Sequence, residues 1–222
     1  MWRTRLPFLD VTVGLVRGES GVLLVDTGST LAEARAVAAD VATLTGQGVR
    51  QIILTHNHFD HILGAAGFPG AEVYCAPEVG ATMTGHRPGL RADALRHGAD
   101  RAEIDRALAA LTRPTHQIST TTIDLGRRSV IVRRPGRGHT DHDLIVVVPG
   151  EPTVVFCGDL VEQSGDPVIE HDSDLSAWPD TLDSVLAAGG LGAVFVPGHG
   201  AVVGAEFVRR QQRWLREQSG SR

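Results

Sequence analysis

The stretch that decides the reading is His56-Asn57-His58-Phe59-Asp60-His61, which follows the apolar run Ile52-Ile53-Leu54. A short apolar run that stops at a polar cluster predicts a strand over residues 51–54, whose end holds a loop of functional groups rigidly. Four side chains of metal-ligand type fall within these six residues. On such a loop His56 and His58 can point the same way, while Asp60 and His61 begin the next turn. Neutral imidazole nitrogen and carboxylate oxygen are the donors that zinc takes at ~2.0–2.2 Å. A single histidine is more often a packed or surface group than a ligand, but four ligand types together after a strand point to metal.

Upstream of this loop, residues 11–17 and 22–25 are short apolar runs separated by Gly18 and Gly21, the pattern of a hairpin. Thr30 and Glu33 have capping-box spacing, and Leu31, Val37, Val41 and Leu44 continue a helical stripe up to Gly46. Downstream, residues 77–113 read as helical and rich in Ala and Arg, interrupted at Gly85-His86-Arg87-Pro88-Gly89. This region is expected to be a helical lid or insertion over the site, or an outer helical layer. Strand-like runs follow at residues 129–133, 144–148, 153–157 and 193–196, with helices over residues 175–188 and 205–218. No repeat or linker divides the chain, so residues 1–222 are expected to form one α/β domain of two sheets with helices outside them.

Composition narrows the function classes. A chain of 222 residues that is 42% hydrophobic and 21% charged can bury a full core. The formal net charge is −5 and no run of like charge is long, which argues against a nucleic-acid or membrane partner. All 21 basic residues are arginine, which reads as codon bias. Cys75 and Cys157 each sit in an apolar stretch and do not make a disulfide framework. No apolar run suits a signal peptide or approaches the ~18 residues of a membrane span. The expectation is a soluble cytoplasmic protein acting on a small molecule, with its oligomeric state open.

Three later positions repeat the arrangement of a strand end followed by a ligand: His139 in Gly138-His139-Thr140, Asp159 in Cys157-Gly158-Asp159, and His199 in Pro197-Gly198-His199-Gly200. The flanking glycines allow turns that bring backbone close to an ion. With these motifs the chain resembles the metallo-β-lactamase superfamily, whose pattern is HxHxDH, then a His, an Asp and a His. All seven positions are filled. The resemblance implies a four-layer αβ/βα sandwich and two divalent metal ions, zinc first, with iron and manganese as the other candidates. It places His56, His58 and His139 on one ion, Asp60, His61 and His199 on the other, and Asp159 between them. It makes Asp60 and Asp159 the expected catalytic carboxylates, and it sets Asp26 behind the ligand histidines, where a carboxylate fixes a ring's tautomer. The implied reaction is attack by a metal-bridging hydroxide on an ester, thioester or lactam carbonyl.

Within the superfamily, Gly136-Arg137-Gly138-His139-Thr140-Asp141-His142-Asp143 looks like the matching stretch of zinc β-lactamases. The full seven-ligand set resembles glyoxalase II-like thioesterases more closely. Glyoxalase II carries a helical glutathione-recognising domain, for which the residues after Gly200 are too few, so a short single-domain hydrolase is expected. Two divalent ions against Asp60, Asp159 and a hydroxide leave the site locally positive, which favours an anionic substrate. The alternatives are a mononuclear iron persulfide dioxygenase using His56, His139 and Asp159, a zinc β-lactamase, a small phosphodiesterase, and a binding protein on the same scaffold. Among other residues, His142 is placed to reach the pocket rim, His86, Arg87 and Arg91 to contact an anion from the lid, and Trp178 to anchor a helix in the core.

Overall fold

A computed structural model describes residues 1–220. The chain forms two compact units, Met1–Ile118 with Leu125–Arg127, and Ser119–Asp124 with the chain from Arg128 onward.

The first unit holds, in chain order, β1 (Trp2–Arg5), β2 (Thr12–Arg17), β3 (Val22–Val25), α1 (Leu31–Thr45), β4 (Val49–Ile53), α2 (Phe59–Ile62), β5 (Glu72–Cys75), α3 (Pro77–Gly85), α4 (Arg87–Arg96), α5 (Arg101–Ala110) and β6 (His116–Gln117). Its six strands pair in the order β1-β2-β3-β4-β5-β6. The first three are antiparallel, and β3 to β6 are parallel. All four residues of β3 are buried, as expected for a strand covered on both faces. The capping box forms as the spacing predicts. The Thr30 hydroxyl accepts from Glu33 N at 3.1 Å, and the Glu33 carboxylate accepts from Thr30 N at 3.1 Å, worth ~1 kcal/mol. The helix ends on Gly46 at φ 69°, a left-handed cap that glycine takes without strain.

The second unit holds β7 (Thr120–Asp124), β8 (Ser129–Arg133), β9 (Ile145–Val148), β10 (Val154–Glu162), α6 (Trp178–Gly189), β11 (Val194–His199) and α7 (Ala205–Gly220). The strands pair in the order β11-β10-β9-β8-β7, with only β10 and β11 parallel. Its core gathers Ile145, Val155, Leu160, Trp178, Leu182 and Phe195. Trp178 is fully buried and donates its indole N–H to Leu160 O at 3.1 Å, the anchoring role its sequence context suggests.

Several strands escape the hydrophobic pattern. In β7 only Ile123 is buried, and β1 has no buried residue, so neither carries an apolar signature. β10 runs to Glu162, past the end expected at residue 157, because the strand continues through irregular pairing around Gly158. Among the described residues, no helix is long and apolar enough to cross a membrane.

Candidate metal centre

Each of the two units gathers a set of the residues expected as ligands. In the first, β4 delivers Thr55 and His56 just past its end, His58 is the residue before α2, and Asp60 and His61 lie on α2. His56 and His61 are fully buried, and Asp60 is 6% exposed. The His56 and His58 rings meet edge-on with centroids 4.7 Å apart, and those of His56 and His61 lie 4.2 Å apart. His61 Nε2 faces Asp60 Oδ2 at 3.7 Å.

Asp26 organises this set from behind. Its Oδ2 meets His61 Nδ1 at 3.0 Å and accepts from the Thr55 hydroxyl at 2.8 Å, while its Oδ1 accepts from Thr55 N at 2.8 Å. The Thr55 hydroxyl also meets His56 Nδ1 at 2.9 Å. Because that hydroxyl gives its proton to Asp26, it accepts from His56 Nδ1–H. A single carboxylate therefore holds two imidazoles in the tautomer that leaves Nε2 as the donor to a metal. Asp26 adopts φ 60° to do this, a left-handed conformation that Asp tolerates better than most residues. Thr27 N and Oγ1 both donate to His61 O, at 3.0 and 2.8 Å. Gly64 lies so close to Thr27 O that any Cβ would overlap it.

The second unit contributes His139, Asp159 and His199, all buried. His139 Nε2 lies 3.5 Å and His199 Nε2 3.3 Å from the same oxygen, Asp159 Oδ2. Two imidazole nitrogens thus converge on one carboxylate oxygen. His139 Nδ1 faces Val168 O at 3.3 Å and its ring packs edge-on against Trp178, centroids 5.7 Å apart. The following turn is braced by Asp143, which accepts from Thr140 N at 2.9 Å and Thr140 Oγ1 at 2.8 Å. Gly198 is required at its position, since a Cβ there would run into the Asp159 carboxylate.

The donor chemistry of both sets, imidazole and carboxylate with tautomers fixed from behind, fits a divalent transition metal. No thiol competes. Burial pushes Cys75 up to about 12 and Cys157 higher still, so neither is a thiolate nucleophile or ligand near neutral pH.

Two residues with a place at the site were not singled out from the sequence. Thr55 relays Asp26 to His56, and its signal was its position immediately before the first ligand. Glu162 is 6% exposed and offers a ligand atom within 4.8 Å of those of Asp159 and His199. Burial, then the Asp159 charge, raises its pKa above the usual carboxylate range. Asp159 and Glu162 are three apart, a separation that puts side chains on opposite faces of a regular strand. The pairing irregularity between Gly158 and Glu162 breaks that alternation, as bulges do.

Two other expectations meet a different outcome. Arg87 donates to Met83 O, Leu108 O and Leu111 O, closing the ends of α3 and α5. Arg91 pairs with Asp105. Both guanidiniums therefore serve the helical layer itself. His142 is 2% exposed, with Nδ1 against Asp141 Oδ1 at 2.8 Å.

Comparison with known proteins places this geometry. The sequence profile of the metallo-β-lactamase superfamily matches residues 6–199, and the chain belongs to that superfamily. A curated relative, the metallo-β-lactamase type 2 of Bacteroides fragilis, is 32% identical over 80 residues, which cover 35% of this chain. The match spans about a third of that relative's length, 32%. Among solved structures, the metallo-β-lactamase FIM-1 of Pseudomonas aeruginosa, in a mono-zinc form, superposes with a TM-score of 0.72 at 20% identity, covering 98% of this chain and 89% of that one. A metallo-β-lactamase from Pontibacter korlensis gives 0.72 at 21% identity, covering 96% of this chain and 93% of that one. One from Hirschia baltica gives 0.68 at 18% identity, covering 96% and 91%. The expected fold class is borne out.

Proposed function

We propose that the two ligand sets together hold two divalent metal ions and that the protein is a metal-dependent hydrolase of a small substrate with an ester, thioester or lactam carbonyl. The observation that carries this reading is the convergence of His139 Nε2 and His199 Nε2 on Asp159 Oδ2. It is matched in the first unit by histidines whose tautomers Asp26 fixes. In this reading His56, His58 and His139 hold one ion, Asp60, His61 and His199 the other, and Asp159 lies between them. Zinc is the first expectation, supported by the ligand types and by a relative solved in a mono-zinc form.

Bound ions of this kind supply Lewis acidity and lower the pKa of water toward neutrality. The chain's own groups do the rest. Asp26 and Thr55 orient the imidazoles, Asp159 is the shared carboxylate of this reading, and the buried surroundings of both sets limit water. No cysteine is needed as nucleophile. The substrate in this reading is a small molecule rather than nucleic acid or a membrane surface, and the protein acts in the cytoplasm. Residues 77–113 bear on the site as a helical cover, through α4, which packs against α2.

The test is a panel of p-nitrophenyl esters, glutathione thioesters, nitrocefin, lactones and bis-p-nitrophenyl phosphate, run alongside elemental analysis. Two metal ions per chain with turnover of at least one carbonyl substrate is the expected result. A single iron per chain with oxygen consumption on a persulfide would overturn it.

A further inference from the structure

Asp159, Glu162 and His199 each present a ligand atom, and the three atoms lie within 4.8 Å of one another. All three residues belong to the second unit. Glu162 is held firmly. Its backbone N–H donates to Gln211 Oε1 at 3.0 Å, and Gln211 Nε2 donates in turn to Leu160 O at 2.8 Å. Both hydrogen bonds to its carboxylate fall on Oε1, from Ser164 N at 2.8 Å and Ser164 Oγ at 2.7 Å. Two buried carboxylates, Asp159 and Glu162, held this close beside an imidazole are costly to keep without a counter-charge, and a cation shared by the three would offset that cost.

We propose that Glu162 is an additional oxygen ligand of the ion held at Asp159 and His199, and that it biases this position toward Mn2+ or Fe2+ and away from zinc. The inference rests on the reading that a metal is bound there. Zinc is satisfied by four ligands in a tetrahedral array. A further carboxylate raises both the coordination number and the oxygen content, which suits the harder ions. None of the seven ligands expected from the sequence is a glutamate, so Glu162 is an addition to that set.

The test measures metal binding, independently of turnover. Metal-free wild type and E162Q are titrated with Mn2+ and with Zn2+ against a chelating indicator. The expected result is a loss of Mn2+ affinity in E162Q of at least about tenfold, a scale that even partners outside the ligand set reach, with zinc affinity changed less than about threefold. Equal losses for both ions, or none, overturn the proposal. A second measurement covers a variant that fails to fold. Wild type labelled with 13C at glutamate carboxylates and loaded with Mn2+ should show a 13C coupling at bonding distance by electron–nuclear double resonance, and its absence overturns the assignment. Failure of every hydrolysis assay would sink the hydrolase reading and leave this one standing. Unchanged selectivity beside intact hydrolysis would do the reverse.

Discussion

The two ligand sets are built in opposite ways. In the first unit four expected ligands come from six consecutive residues after one strand, and one carboxylate behind them, Asp26, holds two of the rings. In the second, three ligands come from three separate places: the turn after Gly138, the bulged part of β10, and the end of β11. What holds them is tertiary packing, including Trp178 beside His139 and the absence of a side chain at Gly198. A locally encoded set depends on its own hydrogen bonds. A dispersed set depends on the sheet that carries it.

That contrast can be broken most severely at Asp159, where both second-unit histidines converge. Asp159→Ala is expected to drop metal content from two ions to about one per chain, by elemental analysis, and to cut kcat/KM by at least ~10²-fold. Retention of two tightly bound ions would remove Asp159 from its shared position. Gly198→Ala should come next. The new methyl displaces the Asp159 carboxylate, and metal affinity should fall about 10–100-fold by chelator competition. An unchanged affinity would show that packing at Gly198 does not govern the second set.

In the first unit Asp26→Asn keeps the size and tolerates the left-handed backbone, but weakens the hold on His61 and His56. It should cost roughly 10-fold in metal affinity, toward the lower end for such partners. Thr55→Val cuts only the relay to His56 and should cost less affinity than Asp26→Asn. It also leaves the buried His56 Nδ1–H without its acceptor, for which ~1–3 kcal/mol of stability is the expected loss, read from denaturant midpoints. If Thr55→Val weakens metal binding more than Asp26→Asn does, the direction of that relay is wrong. The smallest effect belongs to Cys157→Ala, which should leave metal affinity within about twofold, since its thiol is neither ionised nor placed as a ligand.

The same contrast explains what the sequence could tell. The first set was legible because strand, loop and four ligands are contiguous, and the capping box at Thr30 and Glu33 marked where α1 starts. His139, Asp159 and His199 became readable only together, through their repeated placement after apolar runs beside glycine. Glu162 was hidden because its closeness to Asp159 depends on a bulge: Gly158 marks a break in the strand, but the residues do not say which later side chain that break brings beside Asp159. Thr55 was hidden because a hydroxyl that relays between two other groups has no spacing of its own. Strands β1 and β7 were missed since they bury almost nothing, and hydrophobic pattern is blind to such strands. Arg87 and Arg91 misled for the converse reason. Their basic charge suggested a ligand, while the carbonyls and the carboxylate they serve are brought to them by α3 and α5.

The burial of the two thiols has a practical consequence. Cys75 lies on β5 and Cys157 on β10, one in each unit, and both are 1% exposed or less. An alkylating reagent added at neutral pH reads neither until the strand that carries it opens. Timed labelling followed by peptide mass mapping therefore gives two built-in clocks, one per unit, without introducing a single foreign residue. Run with and without added metal ions, the pair of clocks would report which half of the chain is locked by their binding and which stays free to breathe.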